Sequence, residues 1–242
     1  NMGKFAAVVV AAGKGTRMGA VDSKPYLTIG QKPILIHTLE LFERIERVED
    51  VVLVAGSDDM LRCRRLVCEY GIRKVRTIVP GGDERQQSVY NGLMALPADV
   101  RWVAVHDGVR PFVTESAVNA CLRKAEQTGA AVLAVPVKDT IKVVGAAGQI
   151  ESTPDRRSLW AIQTPQTFRV DWLLEAHERA RRDGFIGTDD AALVERLGKP
   201  VHVVEGEYTN IKITTPEDLW WAETILANSG RRTSDVSHRT RV

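Results

Sequence analysis

Short apolar runs alternate along the chain with segments of helical periodicity. Phe5-Ala6-Ala7-Val8-Val9-Val10, Val51-Val52-Leu53-Val54-Ala55, Val75 to Val79, Trp102-Val103-Ala104-Val105 and Ala131 to Val135 have strand length and strand composition. Runs without polar alternation predict parallel strands buried on both faces. Between them, Leu35, Leu39 and Phe42 mark a helix face running through about Arg47, with Pro33 suited to the first helical position. A second helix starts from a Ser57 cap and stops at Gly71, a third carries Val89, Leu93 and Leu96, and a fourth runs from a Thr114 cap to Gly129. This rhythm predicts an α/β fold, a doubly wound and mostly parallel (mixed) Rossmann-like sheet, with ligands beyond the carboxyl ends of its strands.

The rhythm breaks after Val135. Thr140 to Val144, a Gly145-Ala146-Ala147-Gly148 turn and Gln149 to Ser152 predict a protruding β-hairpin arm over about 137–158 with no helix between its strands. A hairpin has little core of its own, so this one is expected to pack on a second subunit as a dimerisation arm. Leu159 to Phe168 returns to the body. Helices are expected over Asp171–Arg182, ended by Gly184, and from a Thr188 cap to Leu197, followed by a strand at Val201–Val204. Asn210-Ile211-Lys212-Ile213 reads as a last short strand, and Thr215-Pro216 opens the final helix. A single domain thus spans 1–228, and the polar, arginine-bearing tail 229–242 is expected to be disordered.

Composition narrows the classes. The 242 residues are 44% hydrophobic and 26% charged, suit one sizeable domain, and hold no apolar run of membrane-spanning length. No apolar leader precedes the first strand, so a cytoplasmic protein without membrane contact is expected. The formal charge of +2, with both signs interspersed, argues against a nucleic-acid partner. Cys63, Cys68 and Cys121 form no C-x-x-C pair; Cys63 and Cys68 face different sides of a helix, as reduced packing residues do.

The chemistry concentrates first in Val8 to Lys24. A strand breaks into a turn at Gly13 and Gly15 and then delivers Arg17 and Lys24. Bare glycines at a strand end let backbone N–H groups approach a phosphate, and cations add the charge neutralisation that backbone lacks. A Walker loop is excluded, because Gly15 follows Gly13-Lys14 and no glycine stands five before Gly13. The dinucleotide fingerprint fails as well: Met18 occupies the place of its third glycine, with Gly19 one position late. Three further loops carry residues that packing does not require: Gly82, Asp83, Arg85 and Ser88; Asp107 and Arg110; and Lys212. Singly each has an ordinary explanation, since Asp83 could cap a helix, Arg110 could pair with Asp107, and Lys24 could be a solvated lysine. In a doubly wound sheet the four loops converge on one edge.

Val10-Ala11-Ala12-Gly13-Lys14-Gly15-Thr16-Arg17-Met18 with Lys24-Pro25 resembles the signature loop of nucleotidyltransferases that activate sugars and polyols. Gly81-Gly82-Asp83-Glu84-Arg85-x-x-Ser88, His106-Asp107-Gly108-Val109-Arg110-Pro111, Asp155-Arg156-x-x-Leu159-Trp160, Gln163-Thr164-Pro165-Gln166-x-Phe168 and Asn210-Ile211-Lys212 narrow the likeness. Together, over about residues 5–227, they resemble the 2-C-methyl-D-erythritol 4-phosphate cytidylyltransferase family of the non-mevalonate isoprenoid pathway. The resemblance implies attack of a phosphomonoester on the α-phosphorus of CTP, with magnesium and a homodimer. It gives Arg17 and Lys24 the α-phosphoryl charge, and Lys212 together with an Arg156 from a second subunit the acceptor phosphate. Ala11, Ala12, Gly13, Gly15, Gly82, Asp83 and Ser88 would hold the nucleotide. Asp107 would face its ribose or a magnesium bound mainly by phosphates. Arg110, Thr140, Thr164 and Thr188 would contact substrate less directly.

Some family members carry Ala-Ala where this chain has Gly108-Val109, and Pro in place of Val10, with no charged group lost. The rival acceptor is ribitol 5-phosphate, against which Asp155-Arg156-x-x-Leu159-Trp160 counts. An NAD(P)-dependent oxidoreductase would use Asp58 or Asp59 on ribose hydroxyls but lacks the third glycine. A catalytically silent dimeric scaffold would leave Arg17, Lys24, Arg156 and Lys212 without a shared purpose.

Overall fold

The computed structural model describes residues 3–13 and 23–239, with side chains through Ser229. Strand β1 (Lys4–Ala11) is buried continuously from Phe5 to Val9, which suits only a central strand. It pairs in parallel with β4 (Val48–Ala55) on one side and with β6 (Val100–Asp107) on the other. Beyond β4 lies β5 (Val75–Pro80), also parallel. On the other wing, β10 (Trp160–Arg169) runs antiparallel between β6 and β7 (Ala130–Pro136), and β11 (His202–Glu205) pairs in parallel with β7. The seven-stranded order is β11-β7-β10-β6-β1-β4-β5. The chain leaves β1 to one side and returns to it on the other at β6, so a topological switch point lies beyond Ala11 and Asp107.

Successive side chains of β1 divide between two cores. Phe5, Ala7 and Val9 join Leu35, Leu39 and Phe42 of α1 (Ile34–Arg44), Cys63 of α2 (Met60–Glu69), and Val118 and Leu122 of α4 (Glu115–Thr128). Val8 joins Val89 and Leu93 of α3 (Arg85–Met94), Leu173 and Ala176 of α5 (Val170–Asp183), and Leu193 of α6 (Asp190–Arg196). Each fully buried Leu or Phe contributes about 2 kcal/mol of transfer free energy. A third cluster seats α7 (Pro216–Arg239) through Ala222 on Ile29, Ile34 and Ile213.

Two two-stranded pieces stand outside the main sheet: β2 (Thr28–Ile29) with β3 (Lys32–Pro33), and β8 (Val143–Val144) with β9 (Ile150–Ser152). The second is the expected hairpin, closed by Gly145 and Gly148. Its apolar side chains are exposed, Val144 at 54% and Ile150 at 57%.

Several boundaries differ from the pattern-based expectation. Helix α1 stops at Arg44 because Ile45 turns extended, and Pro33 belongs to β3, immediately before the first helical residue. Asp189, not Thr188, caps α6, its carboxylate accepting from the Ala192 amide at 2.8 Å. The segment Asn210–Ile213 is no strand; side-chain anchors hold it instead. Helix α7 runs past Ser229 into the segment expected to lack structure. Cys63 and Cys121 are buried, Cys68 is exposed, and all three are free thiols.

Candidate active site

At the switch point, a cavity of about 190 Å³ is lined by Val10 to Gly13 of the β1 exit, Lys24 and Pro25, Arg85, Asp107 and Val109, and Lys212. Gly108 makes the close approach of two strand ends possible. Its amide donates to the Val10 carbonyl at 2.8 Å, and an added Cβ would lie 3.0 Å from that oxygen. Gly13 differs, since a Cβ there would meet nothing within 4 Å among the described residues. A wider cleft of about 600 Å³ at the amino ends of the strands, lined by Leu93, Pro97, Trp102 and Leu174, has its Arg169 and Asp171 paired to each other.

Asp107 is the charged centre. Its Oδ1 accepts from Arg85 Nε at 3.0 Å and lies 3.0 Å from Arg85 Nη2; its Oδ2 lies 3.6 Å from Arg110 Nε and 3.7 Å from Lys212 Nζ. Burial works against the carboxylate, but Arg85, Lys212 and Arg110 together outweigh it and hold the Asp107 pKa down to about 2. Arg85 also reaches Asp190, Nη1 to Oδ2 at 3.0 Å. Burial opposes the Arg85 charge, yet Asp190 and Asp107 raise its pKa above the ordinary value. For Asp190, burial is likewise outweighed, chiefly by Arg85, and its pKa is lowered.

Behind this cluster a polar scaffold fixes the loops. Thr164 Oγ1 accepts from the Asp107 amide at 3.1 Å, so its proton is free for His106 Nδ1 at 2.9 Å. That assigns the His106 proton to Nε2, which donates to the Arg110 carbonyl at 2.9 Å. Burial keeps the ring neutral, its pKa pushed down to about 4. Asn210 Nδ2 donates to Gln163 Oε1 and to the Thr164 carbonyl, while Arg110 Nη1 donates to the Asn210 carbonyl. The Ile213 amide adds a bond to the Val109 carbonyl. These bonds carry Lys212, two residues beyond Asn210, to Asp107.

The expected site residues thus separate into groups. Ala11, Ala12, Gly13, Lys24, Asp107 and Lys212 line one cavity. Ser88 is buried beside it, its Oγ accepting from the Gly82 amide at 3.1 Å, and an added Cβ on Gly81 would strike Ala12 Cβ. Arg110 and Thr164 sit within the scaffold, while Asp83 is exposed and α3 has no side-chain cap. Thr140 and Arg156 are exposed on the arm, with the Arg156 guanidinium donating to the Lys138 carbonyl, and Thr188 is exposed before α6. Gly15 and Arg17 lie outside the described residues. Arg85 sits at the centre of the charges; its loop marked it as a candidate without giving it a role, because nothing local signals its long-range partners.

A divalent ion would find one carboxylate in this cavity, Asp107, already shared by three cations. Among the described residues no group of three or more His, Cys, Asp or Glu side chains could hold a metal. Among the described residues there is thus no protein-made magnesium site.

A doubly wound sheet with cations gathered at its switch point, and no nucleophile among the described residues there, suits a nucleotidyltransferase. The chain matches the 2-C-methyl-D-erythritol 4-phosphate cytidylyltransferase (IspD) family over residues 5–228 and belongs to it. It is 50% identical over 224 residues to the enzyme of that name from Geobacillus kaustophilus, covering 93% of this chain and 97% of the relative. To the one from Pelotomaculum thermopropionicum it is 50% identical over 232 residues, covering 95% and 98%. Among solved structures, 4-diphosphocytidyl-2C-methyl-D-erythritol synthase from Anaerococcus prevotii superposes with a TM-score of 0.84 at 32% identity, over 93% of this chain and 97% of that one. No helix among the described residues is long and apolar enough to cross a membrane.

Proposed function

We propose that the chain transfers CMP from CTP to 2-C-methyl-D-erythritol 4-phosphate, giving 4-diphosphocytidyl-2-C-methyl-D-erythritol and pyrophosphate. The observation that carries this is that Lys24, Arg85 and Lys212 line one cavity with Asp107 at a glycine-bearing strand exit. Both reactants are anions, so the reaction needs in-line placement and charge neutralisation more than covalent chemistry. Lys24 and Arg17 act on the α-phosphoryl group, where charge builds as the phosphorus is attacked. Lys212 holds the acceptor phosphate so that one of its oxygens is aimed at that phosphorus. Ala12, Gly81, Gly82 and Ser88 form the wall for the cytosine and ribose, and Asp107 orders the cations between the two substrates.

Arg156 stands on the exposed arm, away from this cavity, which supports a homodimer in which the partner subunit's Arg156 and Thr140 complete the acceptor side. Magnesium, on this reading, is held by the triphosphate oxygens. The free thiols of Cys63, Cys68 and Cys121 support a cytoplasmic setting. With CTP and magnesium, the purified protein is expected to release pyrophosphate with methylerythritol phosphate and not with ribitol 5-phosphate. Release with ribitol 5-phosphate alone would overturn the acceptor, and no release with either would overturn the reaction.

A further inference from the structure

Arg85 opens α3, directly after the Gly81 to Glu84 turn, and its guanidinium is forked between two acids from distant elements. Its Nε and Nη2 both address one oxygen, Oδ1 of Asp107. One hydrogen bond and one ion-pair contact to a single oxygen fix a point and leave the guanidinium plane free to turn about it. The third contact, Nη1 to Asp190 Oδ2, fixes the plane.

Asp190 is itself a fixed point. It is 1% exposed, stands at the first residue of α6, and its Oδ1 lies 3.6 Å from the Nε2 of buried His177. Gln166 Oε1 accepts from the Ala191 amide at 3.0 Å and Gln166 Nε2 donates to Asp189 Oδ2 at 3.1 Å, tying the start of α6 to β10. Gln86 Oε1 accepts from the Gly187 amide and Gln86 Nε2 donates to the Phe185 carbonyl, tying the preceding loop to α3. An apolar side chain would serve packing here at lower desolvation cost, so a buried acid needs another purpose.

We propose that Asp190 is a positioning residue for the nucleotide: through the plane of Arg85 it holds the Gly81–Ser88 turn in register with Asp107. The inference rests on CTP being the nucleotide, and it concerns only the nucleotide side of the cavity, because Lys212 meets Asp107 at its other oxygen.

Steady-state kinetics on active-site-titrated enzyme test it. Asp190→Asn keeps the shape and removes the charge, and is expected to raise KM for CTP about tenfold while KM for the acceptor phosphate stays within about twofold. Arg85→Gln is expected to give the same rise, and the double variant no further rise, because Asp190 acts through Arg85. A purely structural role would lower the active fraction and leave both KM values in place. Should Asp190→Asn not fold, Arg85→Lys decides: the side chain is 31% exposed, and a single ammonium cannot span both acids, so the same selective rise is expected. Unchanged KM for CTP in an active variant, parallel changes in both KM values, or additive effects in the double variant would overturn the proposal. Absence of any CTP turnover by the unaltered enzyme would instead overturn the reaction assigned above.

Discussion

The surroundings of Asp107 and the hairpin arm are opposite solutions within one chain. Around Asp107, three cations share one carboxylate, a buried histidine has a settled tautomer, and backbone from three loops is tied by Thr164 and Asn210. On the arm, Val143, Val144 and Ile150 face outward and Arg156 rests on a carbonyl of its own hairpin base. The first region needs nothing from outside to hold its shape. The second has apolar surface without a core, as an element does when its packing partner is another molecule. On the proposed reading, a single chain builds the Asp107 cluster by itself, and the arm of a second copy completes the acceptor side.

The sharpest way to break this comparison is to remove cations from the self-sufficient side. Lys24→Ala and Lys212→Ala are each expected to lower kcat/KM by about 10²- to 10³-fold, as loss of a preorganised charge contact does. Circular dichroism and melting should be nearly unchanged, because Lys212 is 43% exposed and both residues lie outside the sheet. Turnover within a few-fold of the unaltered enzyme would remove these lysines from the mechanism.

A somewhat smaller effect is expected on the arm. Ile150→Asp places a charge in its exposed apolar face and should shift the mass in sedimentation from dimer to monomer, with loss of activity. Mixing inactive Arg156→Ala with inactive Lys24→Ala and letting subunits exchange should restore about one quarter of the rate, since half the dimers are then mixed and each mixed dimer holds one intact site. No recovery in confirmed mixed dimers would put Arg156 in its own chain's site. An unchanged mass in Ile150→Asp would mean that the arm packs elsewhere.

The two regions also differ in how far the amino-acid sequence foretold them. The arm is local: a Gly145–Gly148 turn between two short β-prone runs predicts a hairpin without reference to anything distant. The central strands were legible for the same reason, because Phe5 to Val9 and Val51 to Ala55 are apolar on both faces. The glycine turn suggested a phosphate site, and its described residue Gly13 lines the cavity at the switch point. What local pattern could not carry is the charge network, whose members lie 22 and 105 positions apart for Arg85 and 100 apart for Arg110 and Asn210. Asn210–Ile213 looked like a strand because Ile211 and Ile213 alternate with polar residues; Asn210 instead spends its amide on Gln163 and Thr164. Thr188 looked like a cap because the neighbouring Asp189 can serve equally, and only geometry distinguishes them.

The smallest effect expected is thermodynamic and sharpens what self-sufficiency means. His106 is fully buried, and its folded-state pKa of about 4 lies below its ordinary 6.5. Between those values the unfolded chain binds a proton at this residue and the folded chain does not. Stability therefore falls as pH drops through the window, with a slope approaching about 1.4 kcal/mol per pH unit from this residue. Asp107 acts lower: its depressed pKa stabilises the fold above 3.8, and that contribution is lost as pH falls towards about 2. Denaturant melts at pH 7.5, 6 and 5 should accordingly show a steeper loss for the unaltered protein than for His106→Gln, whose amide can still donate to the Arg110 carbonyl. The comparison with the variant matters, because it isolates His106 from every other group that differs between the folded and unfolded chain. Equal slopes would mean that His106 is protonated alike in both states, and the tautomer that ties Thr164 to Asp107 would have to be abandoned.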